Sequence, residues 1–134
     1  MYCHANPKLD SLMLFIAELP ASKVYLFREQ SYYGRCIVAF KGHVNELYEL
    51  SADDRDAFMR DVCNTARAIA TVVRPQKINY GAYSDKMPHL HFHLVPKFTH
   101  GPDFGSTFVM NPEPVQMLTD EKYNELITKI RSLL

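Results

Sequence analysis

Three histidines alternate with apolar residues in His89-Leu90-His91-Phe92-His93-Leu94-Val95-Pro96. A period of two is the strand period, so the imidazoles share one face while Leu90, Phe92 and Leu94 share the other. One face is a core face and the other a chemical one. Imidazoles change charge near neutral pH, and three in a row admit three readings: a metal site, nucleophilic or acid-base chemistry, or a structural surface. Zinc usually gathers ligands tetrahedrally from converging elements; same-face residues on one strand stand almost parallel, an awkward arrangement for three ligands of one ion. A neutral imidazole, by contrast, attacks through one ring nitrogen while the other donates a hydrogen bond that fixes the tautomer. The triple occurrence weighs against a purely structural role.

The elements that must position this run can be read around it. Residues 1–11, with Asn6-Pro7 and Asp10-Ser11, read as an irregular arm. Residues 12–17 are apolar but too few to distinguish strand from helix. Lys23-Val24-Tyr25-Leu26-Phe27 and Arg35-Cys36-Ile37-Val38-Ala39-Phe40 read as an antiparallel pair across a turn-prone 30–34 segment. Ser51 is an N-cap for a helix reaching about Val73, with Asp53 and Asp54 in its first turn. Phe58, Val62, Thr65, Ala66, Ile69, Ala70 and Val73 form its buried stripe, leaving Arg55, Asp56, Arg60, Asp61 and Arg67 mainly elsewhere. Arg74-Pro75 ends it. Lys77-Ile78-Asn79-Tyr80-Gly81 is a strand leading through a polar turn to the histidines. Residues 99–114, rich in Gly and Pro, read as an extended surface loop, and Thr119 caps a C-terminal helix over 119–134. The expectation is an α+β fold: an antiparallel sheet of four or five strands, one long central helix and a C-terminal helix.

A chain of 134 residues is most simply one domain spanning 1–134. An apolar content of 47%, with eight Tyr and eight Phe in place of any Trp, suits a packed core. Fifteen basic residues balance fifteen acidic ones, which leaves no general field for a nucleic-acid polymer but allows a local donor cluster for a small phosphorylated ligand. Three cysteines, an odd number, argue against a secreted disulfide framework and for the cytoplasm. No secretory signal or membrane-spanning segment is read in the sequence, so no membrane partner is expected.

The run His-Leu-His-Phe-His-Leu-Val at 89–95, continued by Pro96-Lys97, resembles the defining pattern of the histidine triad (HIT) family. The resemblance extends from about Pro20 to Lys97 and takes in Gly34 to His43 and the asparagine-x-glycine element Asn79-Tyr80-Gly81. It implies a small α+β homodimer that binds nucleotides and hydrolyses or transfers a nucleotidyl group at the α-phosphate. On that pattern His91 is the nucleophile, oriented by the main-chain carbonyl of His89; His93 contacts phosphate; His89 shapes the site; and Asn79 is a phosphate or leaving-group ligand. Ser84, Lys86 and His43 are further phosphate-side or site-lining candidates. No metal is required. Some family members hold zinc through an N-terminal Cys-x-x-Cys pair, a histidine at the position of His43 and the first triad histidine. Here Cys3, His43 and His89 stand in those places, but Asn6 occupies the second cysteine's, so an unmetallated arm is favoured.

Two departures bear on substrate. The segment between Phe27 and Gly34 is shorter than in many members, and the turn before the triad reads Tyr83-Ser84-Asp85-Lys86-Met87-Pro88 instead of a Gly-Gln-Ser or Gly-Gln-Thr sequence. Phe15, Tyr25, Phe27 and Tyr32 are candidates for stacking on a base or for the core, and Arg35 for a phosphate or an edge strand. The leading expectation is a hydrolase acting on a dinucleoside polyphosphate or nucleoside phosphoramidate and releasing a nucleoside monophosphate. The alternatives are a nucleotidyltransferase, or a catalytically weak nucleotide-binding regulatory protein.

Overall fold

A computed structural model describes residues 7–134. Five strands, β1 (Met13–Glu18), β2 (Ser22–Phe27), β3 (Cys36–Phe40), β4 (Lys77–Gly81) and β5 (His91–Lys97), form one antiparallel sheet in the order β1-β2-β3-β5-β4. From Met13 onward the open 12–17 segment is therefore a strand, paired with β2 with a bulge between Phe15 and Ala17. The expected irregular arm is corrected over its described part: α1 (Pro7–Leu12) is a short helix. Proline breaks helices internally but suits a first helical position, where its missing N–H is no loss; the remainder of the arm, with Cys3, His4 and Asn6, lies outside the described residues.

The long helix α2 (Ala52–Val73) has Ser51 as its N-cap, the hydroxyl accepting from the Asp54 amide at 3.1 Å. It ends at Arg74, in the left-handed conformation ahead of Pro75. α3 (Asp120–Arg131) begins on the Thr119 hydroxyl, which accepts from Lys122 N. Both helices lie on the same face of the sheet. There Ile16, Val24, Leu26, Cys36, Val38, Leu90 and Leu94 pack against Phe58, Val62, Ile69, Leu126 and Ile130. Burial of this apolar area is the main driving force for the fold. Asp61, read as lying off the buried stripe, is itself buried, and its carboxylate accepts from Ala21 N and Ser22 Oγ, each at 2.8 Å. These bonds staple the β1–β2 turn to the helix.

The opposite face carries a smaller cluster of Leu9, Met13, Tyr25, Phe27, Ile37 and Ala39, with Leu12 against it. In the β3–β5 register Ile37 is opposite His93 and Ala39 opposite His91, so this second face is the one on which the histidines stand.

Candidate active site

His91 and His93 are inward-facing members of β5, whereas His89 precedes the strand. The expectation of three histidines on one strand is corrected at this first member. Pro88 donates no amide, and the chain turns so tightly that His89 N donates to Met87 O at 2.8 Å. That turn frees the His89 side chain from the parallel array and sends its Nε2–H to Phe40 O at 2.7 Å.

Each imidazole has a tautomer set by its partner, because a carbonyl only accepts and a guanidinium only donates. His89 carries its proton on Nε2. His91 Nδ1 lies 2.7 Å from His89 O, so its proton is on Nδ1 and its lone pair on Nε2. His93 Nδ1 lies 3.1 Å from an Arg35 terminal nitrogen, so Nδ1 is the acceptor and Nε2 carries the proton. All three rings are held below their ordinary pKa, chiefly by burial. His93 is lowered furthest, from 6.5 to about 3, first by burial, then by the Arg35 charge and by His91. The rings of His91 and His93 are 5.1 Å apart.

Ser84 sits in the turn before the triad at φ 61, a left-handed conformation that costs a non-glycine residue about 1–2 kcal/mol. Its hydroxyl donates to His89 O at 3.0 Å and stands 3.2 Å from His91 Nδ1, so it reinforces the carbonyl that orients His91. Lys86 is exposed in the same turn. Asn79 is half-buried on β4 opposite Val95 and, by alternation, shares the histidine face. Gly81 is opposite His93, where a Cβ would come within 2.7 Å of the Tyr83 ring and 3.1 Å of the Phe108 ring. The absent side chain is what lets these two rings close over the site. His43 is exposed, its ring 6.4 Å from that of His89. Of the zinc candidates these two come together, while Cys3 lies outside the described residues; among the described residues no group of three or more His, Cys, Asp and Glu is gathered as a metal would need.

The 99–114 loop, expected on the surface, folds back as a wall of the site. Lys97 is buried, and its ammonium donates to Asp103 O at 2.8 Å and Ser106 O at 2.7 Å. Tyr32 bonds the Asp103 carboxylate and accepts from Val109 N. So anchored, the loop sets Phe108 6.1 Å from His93 and 6.0 Å from Tyr83. Of the four aromatic stacking candidates, Tyr25, Phe27 and Tyr32 are buried and Phe15 is half-exposed, edge-on to Tyr25. Sequence reasoning did not connect Phe108 with the histidines, nor Arg35 with His93. The one local signal was a charge at Arg35 leading straight into five buried apolar residues.

A HIT domain model matches residues 13–100, more than half of the chain. The protein belongs to the histidine triad family. Solved HIT structures share the fold across nearly the whole chain. The histidine triad protein of Bradyrhizobium japonicum superposes with a TM-score of 0.87 at 18% identity, covering 96% of both chains. That of Sinorhizobium meliloti gives 0.88 at 17% identity, covering 98% of this chain and 96% of its own. A hypothetical histidine triad nucleotide-binding protein of Sulfolobus tokodaii gives 0.71 at 20%, over 90% of this chain and 83% of its own. None of the curated proteins matches this HIT chain in sequence. Membership gives the coarse character of the molecule, a HIT-type nucleotide-binding protein. Among the described residues no helix is long and apolar enough to cross a membrane.

Proposed function

We propose that this HIT protein hydrolyses a nucleotide substrate at its α-phosphate through a nucleotidyl intermediate on His91 and releases a nucleoside monophosphate. The observation that carries the reading is the tautomer of His91: Nδ1–H is spent on His89 O at 2.7 Å, which leaves the nucleophilic lone pair on Nε2. Burial keeps that ring neutral, the form that attacks. His93 is the phosphate-side donor, and Asn79, on the same face, adds a neutral amide donor. Lys86, exposed in the turn, supplies a mobile charge for the polyphosphate, and His43 lines the entrance beside His89. His89 shapes the site through its carbonyl. Water then attacks the intermediate. The histidine chemistry itself requires no metal.

The reading extends to a homodimer in the cytoplasm. β4 is an edge strand, and its Tyr80 is 51% exposed, which suits a second copy against that edge. Cys36 and Cys63 are unpaired thiols, as a reducing compartment favours. The test is incubation with dinucleoside polyphosphates and nucleoside phosphoramidates. Release of a nucleoside monophosphate, abolished in a folded His91→Ala variant, supports the reading, and turnover undiminished in that variant overturns it. Tight nucleotide binding with no turnover would favour a regulatory binding protein. Light scattering at micromolar concentration checks the dimer, and elemental analysis of protein purified without added metal checks for zinc.

A further inference from the structure

Arg35 is 0% exposed, yet among the described residues it forms no salt bridge to a carboxylate. Its guanidinium lies between two aromatic faces, 4.1 Å from the Phe27 ring centre and 5.3 Å from that of Phe108. It donates to Met110 O at 3.0 Å and to His93 Nδ1 at 3.1 Å, and among the described residues its Nε has no hydrogen-bond partner. Glu29 acts on the cation through space without forming a salt bridge, and burial outweighs it, so holding the charge here is costly. Part of the return is structural, since the bond to Met110 O ties down the loop, but an apolar side chain filling the same space would leave His93 Nδ1 without its donor. Register explains how the charge comes to lie there: Cys36 is opposite Leu94, so Arg35 falls on the histidine face, diagonal to His93.

We propose that Arg35 is a positioning residue that holds His93 as a neutral imidazole with its proton on Nε2, and that the site thereby selects phosphoanhydrides, whose leaving group departs as an anion, over phosphoramidates. The hold on His93 stands on the contact alone; the preference rests on the hydrolase reading above.

In the first step the Nε2 lone pair of His91 forms a bond to phosphorus while the bond to the leaving atom breaks, its electron pair going to that atom. A phosphate leaving group accepts the pair on oxygen and departs as an anion without a proton. A buried cation and a neutral N–H donor favour that charge. An amine leaving group must gain a proton as the P–N bond breaks, or it departs as a far less stable amide anion. A protonated His93 would be the acid for that step, but Arg35 occupies the nitrogen that would take the second proton. The guanidinium of Arg35, the donor against that ring, is too weak an acid to stand in for it. In the second step water attacks phosphorus, the bond to His91 breaks with its pair returning to Nε2, and a water proton passes to solvent.

The experiment compares kcat/KM for a dinucleoside polyphosphate with that for a nucleoside phosphoramidate carrying the same base, in the native protein and in Arg35→Met, alongside nitrogen-15 spectra of labelled histidines. The anhydride is expected to lead by about 100-fold, the lower end of what general acid catalysis contributes. His93 is expected with Nδ1 unprotonated at neutral pH. In Arg35→Met that ratio falls at least about tenfold and His93 takes up a proton more readily. If Arg35→Met does not fold, Arg35→Leu, which also lacks both the charge and the N–H donor, is expected to show the same shift. A native preference for the phosphoramidate, a ratio unmoved in the variants, or a His93 protonated on Nδ1 overturns the proposal. If neither substrate is turned over, the hydrolase reading and the leaving-group preference fail together, and the spectra alone then decide whether Arg35 holds His93.

Discussion

The two faces of the sheet are built from the same five strands and serve opposite ends. The helix-covered face is a continuous apolar core whose buried polar side chains, Asp61, Ser22 and Thr65, satisfy one another or the backbone. The other face buries His91, His93, Arg35 and Lys97, with Phe108 of the 99–114 loop against His93 and only a small apolar cluster beside them. The first face supplies the stability on which the second draws. Alternation along β5 makes this division possible within one strand, since Leu94 and His93 are neighbours in sequence and belong to different environments.

The comparison is broken most sharply by removing one group from each face. His91→Ala should lower turnover by about 10⁴-fold or more, the scale of losing a nucleophile, while leaving the unfolding midpoint nearly unchanged. Phe58→Ala should do the reverse. Phe58 is fully buried and packs on Phe40 and Phe92, so its truncation should cost about 3–5 kcal/mol in urea unfolding. Residual activity, measured where the variant is still folded, should stay near native. If Phe58→Ala removed activity without loss of stability, the division between faces would be wrong.

Acid sharpens the contrast. His93 is lowered to about 3 from 6.5, so in between the unfolded chain binds a proton that the folded protein refuses. Its contribution is therefore fully present above the unfolded value and is lost as pH falls towards the folded one, by up to about 1.4 kcal/mol per pH unit. His91 and His89 are shifted in the same direction and steepen the slope. Urea unfolding compared at about pH 7 and about pH 5 should show this loss, and His93→Asn should flatten it; a slope unchanged by that substitution would contradict the assignment. A smaller effect is expected on the apolar face from Asp61→Ala. It strands the buried Ala21 amide and Ser22 hydroxyl, for about 1–3 kcal/mol by thermal or urea unfolding.

What sequence revealed follows from the range of the forces involved. Periodicity is local, so α2, α3 and the alternation of β5 were legible, and the triad pattern pointed to the family. Segment 12–17 stayed open because six residues do not separate strand from helix. Pro7 served as a helix start where it had suggested an arm. Contacts across long separations left almost no trace: Arg35 meets His93 58 residues away, and Phe108 arrives from a Gly- and Pro-rich loop with no period. Helical spacing sets Asp61 off the apolar stripe and says nothing of its burial, because its partners are the amide and hydroxyl of a distant turn. The departures in the 83–88 turn acquired a physical meaning once Ser84 was found against the His89 carbonyl.

The central claim is that His91 carries the nucleotidyl group. It is tested most directly by rapid acid-free quenching during turnover of a dinucleoside polyphosphate, followed by intact and peptide mass analysis. The account predicts one nucleoside monophosphate adduct per active chain, located on His91 and absent from His91→Ala. Turnover with an adduct on another residue, or with none formed at any time during the reaction, would contradict it.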